Sequence, residues 1–308
     1  MASLTYMIAH MHDTLHKIKN SSAPLEDHTA KKYRHHAIQF GKWCKAQYGC
    51  KTPDECRPHI QDYADWLIAC GKSPNTIHTY LAGVCRWFEI PLDSINKPKR
   101  VVANSTRSRG VKAVDGRSDA QREASPRLYD FALAVGIRRD EYKHLRGDDL
   151  VVDESGYLCV RVKQGKGGKY QEQRIAPEDV DFVRSYFDGS TNNVFSKVEM
   201  KNKIDLHHLR ALRAQRAYHD YLARLETDPD YRTQLTEEVH RRWVRLCGKR
   251  WDPKRVEGNY SIRGNNRQLA LANRLPIKYD RLAVMAVSVF HLSHWRCDVT
   301  VANYLLAV

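Results

Sequence analysis

Residues 157–177 read YLCVRVKQGKGGKYQEQRIAP. Tyr157 to Val162 alternates and is β-branched, which is the period-two signature of a strand. KQGKGGKYQ is rich in Gly and Lys and reads as a hairpin turn, with QRIAP returning as the second strand. On both sides of this hairpin the apolar residues recur at helical spacing. Pro126 to Val135 reads as a helix that ends at Gly136. Helices are expected over Pro177 to Phe187, over Leu206 to about Leu225, and along an apolar run ending at Phe290. The first hundred residues are helical too. Leu4, Ile8, Met11, Leu15 and Ile18 share one face before SSAPLED breaks the pattern. A second helix spans His28 to Tyr48. A third opens on Thr52-Pro53 with Glu55 completing a capping box and runs to a C′ glycine near Gly71. A fourth opens on Ser73-Pro74 and lines up Ile77, Leu81, Val84 and Phe88. One hairpin in a helical chain gives the fold class: mainly α with a small β-sheet (α+β).

The 308 residues carry 51 Lys+Arg against 36 Asp+Glu, a formal charge of +15. Length favours two domains. We expect a helical domain over 1–95, a basic interdomain linker over 96–117, and a second domain over 118–308 with a long basic insertion at about 227–281. From Asp93 to Arg117 seven basic residues face two acids, a net +5. From Val239 to Arg281 twelve face three, a net +9. These two stretches hold nearly the whole surplus. Positive charge of this size fits a nucleic-acid partner, because cationic side chains release the counterions of phosphates. The phosphate-contacting candidates are Lys97, Lys99, Arg100, Arg107, Arg109 and Lys112 in the linker. In the insertion they are Arg241, Arg242, Arg245, Lys249 and Arg250. The bland readings are a solvated tether and a surface excursion.

Other classes are disfavoured. The longest apolar stretch, Leu282 to Phe290, is nine residues, about half a membrane span. The N-terminus lacks a basic region followed by an apolar one, so we expect no secretory signal, no membrane partner and a cytoplasmic location. None of the eight cysteines forms C-x-x-C, so they read as packing residues of a reduced compartment. No metal and no cofactor is expected.

Separated signals carry the chemistry in the second domain. Gly136-Ile137-Arg138-Arg139-Asp140-Glu141 sets an arginine just after a helix break. Gly165-Lys166-Gly167-Gly168-Lys169 sets lysines on the hairpin tip. His207 and Arg210, three apart, share one helix face. His291-Leu292-Ser293-His294-Trp295 follows the apolar run, and Tyr304 stands near the end. Singly each is weak: a surface salt bridge, a solvated turn, a chance spacing, a core tyrosine. The GKGGK turn is not a P-loop, since its frame is missing. Together the residue types suit metal-free phosphodiester transfer. Arginines match the non-bridging oxygens of the transition state. A tyrosine can attack, and a hairpin lysine can protonate the leaving oxygen.

The ordered set resembles the tyrosine recombinases, or phage-type integrases. GIRRDE is similar to that family's G-L-R-x-x-E motif, with LRGDDL following as its continuation. Lys166 matches the hairpin lysine, with Lys169 as the second choice. His207, Leu209 and Arg210 match H-x-L-R, Leu292-Ser293-His294 matches L-G-H, and Tyr304 matches the nucleophile. SPNTIHTYLAGVCRWF resembles the helical core-binding domain that clamps DNA, so the likeness covers nearly the whole chain. HLSHWRCDVTVANYL looks like integrases of conjugative transposons in Gram-positive bacteria. Ser293 stands where the family carries glycine. Arg210 and His294 lie 84 residues apart, longer than the family's gap, and the basic insertion fills most of the excess.

The resemblance implies a site-specific recombinase, bacterial and ATP-independent. Tyr304 would form a 3′-phosphotyrosyl link. Arg138 and Arg210 would hold the phosphate, Lys166 would protonate the leaving 5′-oxygen, and His207 would move the tyrosine proton. His294 would hydrogen-bond the phosphate and Glu141 would orient Arg138. It further implies double-stranded DNA with inverted-repeat core sites, a homotetramer on two sites, a Holliday junction and accessory DNA-bending or excision factors. With four residues after Tyr304, subunit contacts are expected from the nucleophile segment or the insertion. Two alternatives share the fold: a type IB topoisomerase-like DNA-relaxing enzyme, and a non-catalytic DNA-binding protein. A metal nuclease would need clustered carboxylates, which these motifs lack.

Overall fold

The computed structural model describes residues 2–17, 27–100, 117–202 and 204–306. Arg107, Arg109 and Lys112 of the expected linker lie outside them. The chain divides into two compact units, Met1–Thr106 and Arg107–Val308.

The first unit is helical: α1 (Leu4–Lys17), α2 (Asp27–Tyr48), α3 (Pro53–Cys56), α4 (Ile60–Ala69) and α5 (Pro74–Phe88). The expected third helix is two helices. Thr52 caps α3, its hydroxyl accepting from the Glu55 amide at 3.4 Å, and Glu55 Oε2 reaches back to accept from the Lys51 amide at 2.7 Å. Pro58 then ends the α-helix, because its ring lacks an N–H and clashes with the preceding turn. A 3₁₀ turn over Arg57–His59 carries the chain into α4. Phe40, Tyr63, Leu67, Leu81, Val84 and Trp87 fill the core.

The second unit opens with α6 (Arg117–Ala124), α7 (Pro126–Val135) and α8 (Arg139–Tyr142). Three antiparallel strands follow in the order β1 (Leu150–Val152), β2 (Leu158–Val162) and β3 (Gln171–Arg174). Val160 pairs Leu150 on one side and Gln173 on the other. All four residues of β3 are buried although all are polar. The helix expected over Pro177 to Phe187 is shorter: a 3₁₀ turn over Pro177–Asp179, then α9 (Val180–Arg184). The long α10 (Leu206–Thr227) starts on Asp205, whose carboxylate accepts from the His207 and His208 amides.

The basic insertion folds as α11 (Tyr231–Leu246), β4 (Asn259–Ser261), α12 (Gly264–Ala272) and β5 (Lys278–Asp280). It is not a surface excursion. Tyr231, Leu235, Val239 and Trp243 of α11 join one core with Leu282, Val284 and Phe290. The apolar run is α13 (Arg281–Val287) continued by a π-helical turn, Ser288–Leu292. After α14 (Cys297–Thr300) a second π-helical turn, Val301–Leu305, carries Tyr304. Among the described residues no helix is long and apolar enough to cross a membrane. The fold is mainly α with small antiparallel sheets.

Candidate active site

Helix α7 ends at Gly136, whose left-handed φ of 69° turns the chain towards α8. A Cβ there would lie 3.1 Å from the Arg213 Cβ on α10, so glycine also admits that helix. The freed Gly136 carbonyl accepts from Arg210 Nη1 at 2.6 Å. Arg138 follows as the N-cap of α8. Glu141, one helical turn on, accepts the Arg138 amide at 2.7 Å with Oε2 and Arg138 Nη1 at 2.7 Å with Oε1. Burial pushes the Glu141 carboxyl up, but the charges of Arg210 and Arg138 and the hydrogen bonds from Arg138 and Gln171 win and hold it below the usual range.

The two arginines converge. Arg210 Nη2 donates to the Leu292 carbonyl at 2.7 Å, and Arg138 Nη2 reaches the same oxygen at 3.4 Å. That carbonyl ends the first π turn, where backbone oxygens lack a partner inside the helix. Arg210 is 1% exposed and its Nε has no hydrogen-bond partner of normal geometry among the described residues. Two guanidinium groups meeting at one oxygen form a site for an oxyanion with more than one acceptor oxygen.

His294 sits between two left-handed residues, Ser293 (φ 51°) and Trp295 (φ 60°). Its amide bonds the Ser288 carbonyl at 3.0 Å, and Ser288 Oγ accepts from the Arg296 amide at 2.9 Å. This tight loop explains why glycine would suit position 293. His294 Nε2 lies 2.9 Å from Tyr304 Oη. Burial first, then the charges of Arg210, Arg138 and Lys166 and the neighbouring His207, lower the imidazole pKa to about 3. The ring is therefore neutral near pH 7.

His207, in the first turn of α10, stacks obliquely near the Tyr304 ring with centroids 5.5 Å apart. The Arg210 guanidinium carbon is 5.8 Å from the same ring. Gln215 Nε2 donates to the Tyr304 carbonyl at 3.0 Å, anchoring the π turn to α10. Tyr304 itself is 4% exposed. His294 thus makes a hydrogen bond to the phenol, and His207 lies beside the same ring. Lys166 is exposed at the hairpin tip, and its charge reaches His294. Lys169 is exposed as well, and its carbonyl closes the turn on the Gly165 amide at 2.7 Å.

Several of the side chains expected to contact phosphates are engaged within the chain. Arg242 is fully buried: Nη2 meets Asp153 Oδ2 at 2.6 Å, Nε meets Glu154 Oε1 at 2.7 Å and Nη1 meets the Glu172 carbonyl at 3.2 Å. Arg245 bonds Glu154 Oε2 at 2.6 Å and both carboxylate oxygens of Glu172. Arg174 joins the same cluster, to Asp153 at 2.7 Å and Glu238 at 2.6 Å. Burial raises Asp153 and Glu172, yet Arg174 on one and Arg245 on the other hold both below the ordinary carboxylate range. The charge of α11 is thus largely neutralised internally. Lys97 has an almost buried side chain whose Nζ bonds the Leu92 and Ile95 carbonyls at 2.5 and 3.1 Å. Arg241 touches Ser155 Oγ at 3.2 Å and stays exposed, as do Lys99, Arg100, Lys249 and Arg250.

Sequence reasoning missed Gln171, whose amide touches both Arg138 and Glu141, and the Leu292 and Gly136 carbonyls. A run of four polar residues, QEQR, returning from a hairpin was the available signal for the first. Backbone carbonyls leave no such signal. No group of three or more His, Cys, Asp or Glu residues able to hold a metal occurs among the described residues.

The described geometry defines a mainly α protein with a partly buried cluster of two arginines, two histidines and one tyrosine. No family model and no curated protein sequence matches the chain. It is similar to a solved structure titled "Crystal structure of XerA recombinase", at 16% identity and a TM-score of 0.24, covering 69% of this chain and 84% of that one.

Proposed function

We propose that the protein is a DNA strand transferase of the tyrosine-recombinase type. The observation that carries this reading is the pairing of Tyr304 Oη with a neutral His294 Nε2 beside two converging arginines. A phosphodiester taken up by Arg138 and Arg210 replaces their shared carbonyl contact with non-bridging oxygens. Tyr304 Oη attacks phosphorus, its proton leaves towards His294, and the P–O5′ bond breaks. Lys166 gives the departing 5′-oxygen a proton. The product is a 3′-phosphotyrosyl link plus a free 5′-hydroxyl, and attack by another 5′-hydroxyl reverses the step on a new partner. The bond energy stays in the link, so the cycle balances without ATP.

Electrostatics supports the order of events. At a pKa of about 3 His294 is too weak a base for a phenol. A bound phosphate cancels the arginine charges that help depress it, so the imidazole gains basicity only once substrate is in place. The finer reading is site-specific exchange on double-stranded DNA with inverted-repeat sites, through a Holliday junction, by a homotetramer of a bacterial mobile element. It rests on the motif resemblance. The lysines and arginines left exposed, including Lys99, Arg100, Lys249 and Arg250, are the phosphate-contacting candidates that remain among the described residues.

The test is a pool of nicked duplexes with randomised centres, incubated with the protein in EDTA. A covalent protein–DNA adduct that disappears in Tyr304→Phe while DNA binding persists supports the assignment. Adduct formation by the Phe variant, or none by the wild type, overturns it. Plasmid relaxation without a selected site would move the reading to the topoisomerase-like alternative.

A further inference from the structure

Strand β3 lies between the candidate site and the insertion, and its side chains alternate between them. Glu172 and Arg174 face the ion-pair cluster of α11. Gln171 makes its side-chain bonds with Arg138 and Glu141 of α8. It is 2% exposed. Its Nε2 donates to Glu141 Oε1 at 2.9 Å, and its Oε1 accepts from Arg138 Nη1 at 3.2 Å. The amide orientation follows from its neighbours: flipped, it would set donors against a guanidinium and an oxygen against a carboxylate. Glu141 and Gln171 together grip one edge of Arg138, leaving Nη2 to reach the Leu292 oxygen. The same amide rests on the hairpin. A Cβ at Gly165 would come within 1.7 Å of Gln171 Nε2, so glycine is required beside Lys166 for the amide to occupy this place.

We propose that Gln171 is a positioning residue for Arg138: its amide fixes the guanidinium plane from the hairpin side and ties the Lys166 turn to that plane. The function of this lock rests on the strand-transfer reading above. A buried amide that only satisfied itself would need one partner of either kind. Gln171 instead bridges the cation that would grip the phosphate and the anion that orients that cation. Neither Glu nor Lys at 171 can both donate to Glu141 and accept from Arg138 near pH 7. Its backbone neighbour Glu172 is clamped by Arg245, so the amide is held from behind as well.

Gln171→Met keeps the length and the contact with Gly165 while removing both hydrogen bonds. We expect it to bind a duplex recovered from the nicked pool within about twofold of wild type, while adduct formation at saturating protein slows by about tenfold or more. The unfolding midpoint should stay close to that of wild type. The slowing should persist on the same duplex with a sulfur in place of the bridging 5′-oxygen, because a thiolate leaves without the lysine proton. Wild-type rates in Gln171→Met, or a defect erased by the sulfur substrate, would overturn the assignment to Arg138. A second readout does not depend on catalysis. The Arg138 Nη protons, observed by NMR in arginine-labelled protein, should be restrained in wild type and averaged by rotation in Gln171→Met. Identical Nη spectra would also sink the idea. Should wild type give no adduct, the reaction reading falls and the Nη spectra still decide the positioning claim.

Discussion

Tyr304 Oη and His294 Nε2 stand 2.9 Å apart although the residues belong to different helical segments, each on or just after a π-helical turn. A π turn holds one more residue than an α turn, and such turns cluster at functional sites. Here they aim a phenol and an imidazole at one another under two arginines.

In the free protein the His294 imidazole should show no titration between pH 5 and 8, because its pKa lies at about 3. With DNA bound by Tyr304→Phe, the pKa should rise as the phosphate offsets Arg210 and Arg138. Imidazole NMR with and without duplex checks both halves. A shift on binding that leaves His294 unmoved would remove it from the proton path.

Acid stability follows by linkage. His294 and the buried His291 both have pKa values lowered below 6.5 by burial and then by neighbouring arginines, and His36 is lowered chiefly by burial. The unfolded chain therefore binds more protons than the folded one below about pH 6.5. Stability should fall as pH drops through that value, before the carboxylates titrate. Denaturant midpoints at pH 7, 6 and 5 measure it, and His291→Gln should blunt the slope.

Ser293 is a non-glycine residue at φ 51°. Ser293→Gly should stabilise the protein by about 0.5–1 kcal/mol, since relief of left-handed strain exceeds the added freedom of the unfolded chain. Trp295→Gly shares the same conformation but loses the edge contact with Trp243 at 5.6 Å, so it should destabilise. Urea unfolding of the pair separates backbone relief from lost packing.

The insertion arginines should divide into two kinds. Arg242→Met leaves the buried Asp153 and Glu172 carboxylates with fewer partners and should cost about 3–5 kcal/mol. Lys249→Ala and Arg250→Ala should change stability by less than about 0.5 kcal/mol. If these two contact phosphates, each should flatten the salt dependence of DNA affinity by about 0.9 in log–log slope. An unchanged slope would remove the segment after α11 from the DNA surface.

Gly136→Ala tests the floor of the site. The new methyl would meet Arg213 Cβ at 3.1 Å with φ at 69°, and the displaced carbonyl is the one that holds Arg210. A loss of about 1–3 kcal/mol is expected, together with slower adduct formation.

The hairpin at 157–177 and the motif residues around Arg138, Arg210 and Tyr304 were legible because each is encoded over a few neighbouring positions. Helix ends set by Gly136 and Asp205 were local too. What stayed hidden depends on distant partners. The basic count of the insertion suggested a DNA-binding face, yet Arg242 and Arg245 meet Asp153, Glu154 and Glu172, acids supplied from 70 or more positions earlier in the chain. A sum over one window cannot see charges supplied by another. Pro58 shows the converse: a single local residue split the third helix while the apolar pattern ran through it. The Leu292 carbonyl was invisible, since no side-chain pattern marks a backbone oxygen that two arginines will share.

Helix α11 bears on two places at once. Arg242 and Arg245 grip strand β3 below the Lys166 turn, and Trp243, between them in sequence, packs on Trp295 beside His294. The groups proposed to handle the leaving-group proton and the tyrosine proton therefore have a common footing, one helical turn wide. Damage there would not degrade the two steps independently. It would fail both together, so weakened variants of α11 should divide sharply into working and silent, with few that cleave DNA yet stall before rejoining.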